Sequence, residues 1–407
     1  MSSALARPGA DPDIHAINAA SSSDFQPLAG VRVIDFTRVL AGPYATMTLA
    51  ELGADVVKVE MPGIGDETRA WGPPFIDHSS AYFHAVNRGK RSIEVDLSVE
   101  EGRRTVDRLL ASADVVVENF RPGVPERLGL DAGQVMARHP QLIYASITGF
   151  GRTGPMASDA GTEVIVEAES GLMSVTGEPG AAPVRFGVAM VDIATGLTMI
   201  NGILAALVER GRTQRGRRID VSLYATAVSS LGTVIAASSA GGAPPRPWGS
   251  AHPSIVPYRA FAAADGHVVL GATNDAMFRR LVVALDLAEE LGGPEWATNA
   301  GRVEGREELE EIVQRSVALT SVDHVVARLR AQRVLVAPVL RPDEAAASEQ
   351  ARALGLLVEE DGVLMTRGPL AAGQGVSMTP APALGQHTQE ILAELFASAT
   401  EGQEATS

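Results

Sequence analysis

The 407-residue chain contains no cysteine. That excludes disulfides, thiolate nucleophiles and cysteine-ligated metals, and it fits a reducing, cytoplasmic setting. Aromatic residues are scarce, at 4%. Positive charge is in deficit: 34 Lys and Arg stand against 49 Asp and Glu, for a net charge of −15. A surface of that sign repels DNA and RNA, so no nucleic-acid partner is expected, and an anionic ligand would need a local basic site. No run of 18 apolar residues occurs, so neither a membrane span nor a membrane partner is expected. Residues 1–26 are polar and rich in Ala, Ser, Asp and Pro. They lack the apolar core of a signal peptide and the Arg-rich, acid-poor composition of a transit peptide, and read as a disordered tail. The chain also has no GxSxG elbow, no Walker loop, no HExxH and no close pair of histidines, so no metal centre is expected.

What is present is a hydrophobic content of 45%, enough for one large core and a second, smaller one. Short β-rich runs alternate with helical patterns from Val31 onward. Strands are expected at 31–36, 55–60, 92–97, 114–120 and 142–148, with helices at 43–52, 99–112 and 132–138 between them. Ser98, with Glu101 three residues on, reads as a capping box for the second of these helices. This rhythm implies an α/β fold with a mostly parallel sheet covered on both faces. Residues 193–209 are apolar on nearly all sides and read as a buried helix. A short strand is expected at 219–223 and another apolar helix at 226–239. Three prolines in Gly241–Trp248 mark a linker. Beyond it a hairpin (258–262 and 267–270) and helices at 275–285 and 307–318 indicate a smaller domain over 226–340. A helix at 388–397 closes a segment, 341–407, that is expected to return to the larger domain of 27–225.

Four features are candidates for chemistry. The GxGxxG match Gly149–Gly154 follows a strand but is followed by Pro155 and loop-like residues, so it reads as a mobile glycine loop and lid rather than a dinucleotide fingerprint. Asp192 stands among apolar residues just before the long helix. It is open to two readings there: an N-cap whose carboxylate accepts backbone N–H bonds, or a carboxylate nucleophile fixed at a helix start. Glu163 and Glu167 share one helical face, as a solvated face or as part of a site. Basic residues lie near predicted strand ends, notably Arg38, Arg121 and Arg127, where an open α/β sheet binds ligands and a phosphate would favour arginine.

The ordered motifs from Pro27–Glu60 through Gly65–Arg69, Asn87–Ser92, Val117–Gly123, Gly149–Pro155, Val188–Asp192 and His252–Tyr258 to Gly385–Thr388 resemble the class III coenzyme A transferases, the formyl-CoA transferase-like family. Within the family, Arg38–Pro43, Thr68–Phe75 and Trp248–Tyr258 most resemble the branch that moves coenzyme A between succinyl-CoA and glutarate or hydroxymethylglutarate. The resemblance implies a Rossmann-like large domain plus a smaller α+β domain, in a ring-shaped chain interlocked as a homodimer. It implies no permanently bound cofactor, coenzyme A entering only as part of the substrates. It puts the nucleophilic aspartate on Asp192. It puts coenzyme A contacts on Arg38, Leu40 and Ala41, on Val95, Asp96, Leu97 and Ser98, on Asn119, Phe120 and Arg121, on Arg127, and on Ala160 and Glu163.

The chain departs from the family where racemases carry a His–Asp pair and many transferases Tyr–Asp; here Thr162 and Glu163 stand, with Glu167 in place of a glutamine. Without that histidine a two-base racemization lacks one base. An acyl-CoA racemase or lyase, and a non-catalytic binder of CoA esters, remain the other readings. A dicarboxylate substrate would need a cation for its distal carboxylate, for which Arg69, Arg185 and Arg246 are placed. The segment around His252 is a second candidate lid.

Overall fold

The structure, a computed structural model, describes residues 25–360 and 362–404. The expected tail over 1–26 therefore lies, but for Phe25 and Gln26, outside the described residues. The chain divides into two compact units.

The first unit comprises the chain up to Ser170, Gly187–Gly232 and the segment from Glu349. Its centre is a six-stranded parallel sheet of β1 (Arg32–Asp35), β2 (Asp55–Glu60), β3 (Lys90–Glu94), β4 (Val115–Glu118), β5 (Ile143–Thr148) and β6 (Arg218–Ser222). The spatial order is β3-β2-β1-β4-β5-β6, the doubly wound order, in which β1 and β4 flank the point where the winding reverses. Register is regular across that point: Val33 pairs with Val115 and Asp35 with Val117. Every residue of β4 and β5 is buried, as in a parallel sheet covered on both faces, and the polar Glu118 and Ser146 within them pair with each other.

Helices cover the faces. Glu100–Ala111 lays Val106, Leu109 and Leu110 into the core, and α1 (Ala41–Glu51) lies behind the end of β1. α2 (Glu163–Ser170) packs against α3 (Met190–Thr213). α4 (Thr388–Glu404) adds Ile391 and Leu395 to the same core, and its Glu394 is held by Arg32 and Arg91 at 2.9 and 2.7 Å.

Several expectations shift on contact with the fold. β3 begins at Lys90, not Ser92, because two polar residues find partners within the sheet layer; Val95–Ser98 are thereby left beyond its carboxyl end. Ser98 caps no helix: its N–H and Oγ both donate to Asp96 Oδ1, at 2.8 and 2.6 Å, and Val99 takes the N-cap position. The helix expected over 226–239 is two, Leu223–Ser230 and Gly232–Ser239, broken next to a glycine. α3 is only partly buried. Met199, Ile200 and Ile203 face the sheet, while Leu197 and Val208 are 45% and 71% exposed. By length and composition α3 is apolar enough to cross a membrane, with a mean hydropathy of 1.7, but its inner face packs on β5 and β6 as a core helix does.

The second unit comprises Gly171–Phe186 and Thr233–Ser348, against the 226–340 read from sequence. It is α+β: an antiparallel sheet in which β8 (Gly266–Gly271) lies between β7 (Tyr258–Ala263) and β9 (Leu335–Pro338), with helices around a separate core. A wholly buried Arg302 ties this unit, donating to the carbonyls of Val256 and Trp296 and to Asp275, with its guanidinium 4.4 Å from the Phe278 ring.

One contact in the first unit sets where α3 lies. A Cβ on Gly196 would stand 2.8 Å from the Ala41 carbonyl oxygen and 3.0 Å from Tyr44 Cδ1, so glycine lets α3 approach α1 this closely. Alanine would gain roughly 1 kcal/mol of helix propensity but overpack a backbone contact, which costs about 1–3 kcal/mol. Gly196→Ala is expected to lower the unfolding free energy by up to about 2 kcal/mol, read from denaturant melts; a higher midpoint would show that the two helices are free to separate.

Candidate active site

The crevice at the β1/β4 switch point begins with Asp35, the last residue of β1 and wholly buried. Its Oδ1 accepts from the Thr37 N–H and hydroxyl, at 2.8 and 2.6 Å; its Oδ2 accepts from Thr46 at 2.6 Å and from Lys90 Nζ at 3.0 Å. Burial pushes this carboxyl up, but Lys90, Lys58 and the two hydroxyls outweigh it and hold it at about 2. Lys58, also buried, donates to the Thr37 carbonyl at 2.7 Å and pairs with Asp66 at 3.0 Å. Glu60 accepts two bonds from Arg69 and one from Ser92. Arg69 Nη1 also donates to Ser79 and the Pro382 carbonyl, and its guanidinium lies 3.7 Å from the Phe83 ring. Arg69 is thus a structural cation, not one free for a distal carboxylate. Arg185 and Arg246 belong to the second unit, where Arg246 stacks 4.0 Å over Trp248.

From this base the chain turns at Val39, which has φ +71°. A β-branched residue there is strained by about 1–3 kcal/mol. The turn leads into α1, whose N-cap residue, Leu40, makes no side-chain cap. Asn119, just past β4, locks the turn from the other side. Its Oδ1 accepts the Arg38 N–H at 3.0 Å and its Nδ2 donates to the Arg38 carbonyl at 2.7 Å.

Asp192 faces this loop. It is not the N-cap of α3: that position is Ala189, and Asp192 lies within the first turn. The amide that a cap would satisfy, Val191 N–H, is taken by Glu163 Oε1 at 2.9 Å. Glu163 and Glu167 are accordingly buried, at 8% and 1% exposure, not a solvated face. With capping supplied from α2, the Asp192 side chain is left to line the cleft, and it accepts no hydrogen bond among the described residues. Burial, with the Glu163 carboxylate adding like-charge repulsion, raises its carboxyl to about 7. Tyr82 belongs to the same electrostatic neighbourhood: burial first, then Asp192, Glu163 and Asp66, push its hydroxyl up to about 12. Sequence reasoning missed Tyr82, which follows the Ser80 N-cap of a short helix in no recognisable motif.

Two clefts meet here. The inner one, of about 250 Å³, is lined by Arg38–Ala41, Asn119–Pro122, Thr148–Phe150, Ala160–Glu163 and Asp192. The outer one, of about 570 Å³, is lined by Val95–Ser98, Lys58, Asp66 and apolar residues including Leu128. Arg38 and Phe120 line both and join them. The expected contact positions thus fall on one connected crevice, with one exception. Arg127 lines neither cleft; it is exposed at the end of the short helix Val124–Arg127. Glu67 and Asp159 also line the inner cleft and were not foreseen. In the glycine loop, Gly149 passes Gly161 so closely that a Cβ would stand 2.6 Å from the Gly161 Cα. Turns rather than a helix follow Gly154, so the dinucleotide fingerprint is absent. The other expected lid, around His252, lies in the second unit.

A desolvated carboxylate without donors is chemically useful and structurally costly. Because the folded-state value lies above the usual 3.8, the native state holds the extra proton between about pH 4 and 7, and stability falls as pH rises through that window. Asp192→Asn is therefore expected to be more stable than the parent at pH 8, by an amount on the order of 2–4 kcal/mol. The difference should vanish below pH 4. Melts across pH that show equal stability at pH 8 would place Asp192 in a solvated environment instead.

Comparison with known proteins agrees with this geometry. Residues 28–388 match the model of CoA-transferase family III. The chain is 41% identical over 382 residues to the succinate–glutarate CoA-transferase of Agrobacterium fabrum, covering 91% of this chain and 96% of that one. It is 40% identical to the human succinyl-CoA:glutarate CoA-transferase, over 92% of this chain and 87% of the other. Among solved structures, a CAIB/BAIF family protein from Brucella suis superposes with a TM-score of 0.83 at 40% identity, over 91% of this chain and all of that one. The chain belongs to CoA-transferase family III.

Proposed function

We propose that this enzyme moves coenzyme A from succinyl-CoA to a dicarboxylate such as glutarate, through a covalent thioester on Asp192. The substrates are suggested by the names of relatives at about 40% identity over most of the chain. The observation that carries the role of Asp192 is its carboxylate: half-buried, aimed into the cleft, with no donor to quench it and a proton affinity raised to about 7. Such a group is a stronger nucleophile than a solvated carboxylate and is still largely ionised at slightly alkaline pH.

In the first step an Asp192 oxygen attacks the thioester carbonyl and the coenzyme A thiolate leaves, forming a mixed anhydride between Asp192 and succinate. The thiolate attacks the Asp192 carbonyl carbon, the anhydride C–O bond breaks, and succinate departs from an aspartyl-CoA thioester. The acceptor carboxylate attacks that thioester, again expelling thiolate. The thiolate then attacks the acceptor's carbonyl and frees Asp192. One thioester is exchanged for another, so the energetics are near thermoneutral. The enzyme's tasks are to align the reacting atoms and to keep water from the anhydrides. The cationic end of the crevice, Arg38 and Arg121, suits the phosphates. Incubation with succinyl-CoA alone, followed by hydroxylamine or borohydride, is expected to leave a mass change that maps to Asp192, and Asp192→Asn is expected to lose transfer entirely. A parent enzyme that exchanges coenzyme A with Asp192 unmodified, or a folded Asn variant with near-normal exchange, would remove Asp192 from the mechanism.

The same proposal includes a homodimer of interlocked, ring-shaped chains. Its support is the family resemblance and the exposed apolar face of α3, where Met190 and Leu197 are each 45% exposed and Val208 is 71% exposed. Sedimentation is expected to give twice the chain mass. Interlocked chains separate only on unfolding, so mixing tagged and untagged dimers should yield no hybrids until both are unfolded and refolded together. Monomers, or hybrids formed under native conditions, would count against the arrangement.

A further inference from the structure

Among the described residues, five non-glycine residues have positive φ: Val39, Asp77, Gln214, Asp286 and Arg333. Asp77 and Asp286 are of a type that adopts this conformation more readily, and Gln214 and Asp286 directly follow a helix or its C-cap. Val39 is the one that is β-branched, and the one that lines the cleft holding Asp192. A strained residue at such a place persists only where its surroundings over-determine it.

The surroundings do so with side chains from four separate segments. The Thr37 N–H goes to Asp35 and the Thr37 carbonyl to Lys58. Both backbone groups of Arg38 go to the amide of Asn119. The Val39 N–H points at Asp66 Oδ1, the longest of the set at 3.5 Å. The resemblance assigns Asn119 a direct contact with coenzyme A, yet both ends of its amide are engaged by the chain itself. We infer that Asn119 and Asp66 are positioning residues, and that their task is to hold Val39 in its left-handed turn so that Arg38 faces the junction of the two clefts while Leu40 and Ala41 face Asp192. The inference rests on the transferase reading above. Relaxation of the turn would move Arg38 relative to Leu40 and Ala41, and with it the phosphates relative to the thioester.

A double-mutant test separates this from ordinary loss of a contact. Glycine adopts a left-handed φ at no steric cost. Val39→Gly should therefore keep the turn in place when a clamp is removed. Asn119→Ala in the full-length enzyme is expected to lower kcat for succinyl-CoA at least tenfold, with a smaller change in KM. Asn119→Ala with Val39→Gly is expected to recover to within about threefold of the parent, by analogy with compensated strain. Asp66→Ala, which removes the acceptor of the Val39 N–H, and its pair with Val39→Gly are expected to behave in the same way; should that variant fail to fold because Lys58 loses its partner, the Asn119 pair decides. A double variant no more active than the single one, both folded by circular dichroism, overturns the inference, as does a single variant with full activity. If the parent enzyme itself shows no transfer, the transferase reading has failed, and the same rescue is then sought in coenzyme A affinity by calorimetry. There too, absence of rescue overturns the positioning role.

Discussion

The ion pair between Asp35 and Lys90, at 3.0 Å and wholly buried, is the constraint from which the rest of the active-site side follows. It joins the end of β1 to the start of β3 across β2, and Lys90 also donates to the Pro43 carbonyl in α1. Burial pulls Lys90 down to about 8, with Asp35 opposing, so the lysine is still cationic at neutral pH. Two charges buried this way gain little net stability, but removing either one leaves the other uncompensated, typically at a cost of about 3–5 kcal/mol. That asymmetry makes the pair a device for fixing geometry. Asp35 then has oxygens to spare for Thr37 and Thr46, and so fixes where the loop after β1 can go.

Asp192 is the converse case. Where Asp35 is supplied with two hydroxyls, an amide and an ammonium, Asp192 is supplied with none among the described residues and has Glu163 as a neighbour. The two carboxyls are held at about 2 and about 7 by environment alone. Glu163 does two things at once. It caps the Val191 amide, which frees Asp192 from the role its position on a helix start would otherwise give it, and it raises the Asp192 proton affinity by repulsion. The network around Asp35 fixes the geometry, while keeping Asp192 desolvated costs stability, as is common where an active group is unfavourable for the fold.

Much of this was legible in the sequence, for identifiable reasons. The valine-rich runs announced β2 and β4 because strands largely buried on both faces carry little alternation. The helix expected over 132–138 is present, and the structure shows Asp131 capping it through the Gln134 N–H. What failed to show was which of several possible partners a polar side chain takes in the fold. Ser98 has the residue type of a cap, but Asp96, two residues earlier, outcompeted the helix for it. Asp192 likewise has the type and approximate place of a cap, and only the arrival of Glu163 from another helix decides otherwise. Arg69 looked available because the sequence does not show that Glu60, at the end of β2 nine residues earlier, claims it. Gly171–Phe186 gave no compositional sign that it belongs to the second unit.

The charges in the inner cleft are arranged unequally, and this bears on how a ligand would lie. Its cations are Arg38 and Arg121, of which Arg38 also lines the outer cleft; its carboxylates are Glu67, Asp159, Glu163 and Asp192, the last two at the starts of α2 and α3. An acyl-CoA with its phosphates toward the arginines has its thioester toward the carboxylates, since the reverse would set phosphates against Asp192 and Glu163. Phosphate charge then stays near guanidinium groups throughout the proposed cycle, while the region around Asp192 gains and loses only one carboxylate at a time. In that cycle, repulsion from Glu163 would act on each carboxylate product formed there and favour its release. In the proposed cycle, the repulsion that adds to burial in raising the proton affinity of Asp192 would also lower the affinity for the departing acid, linking the two properties.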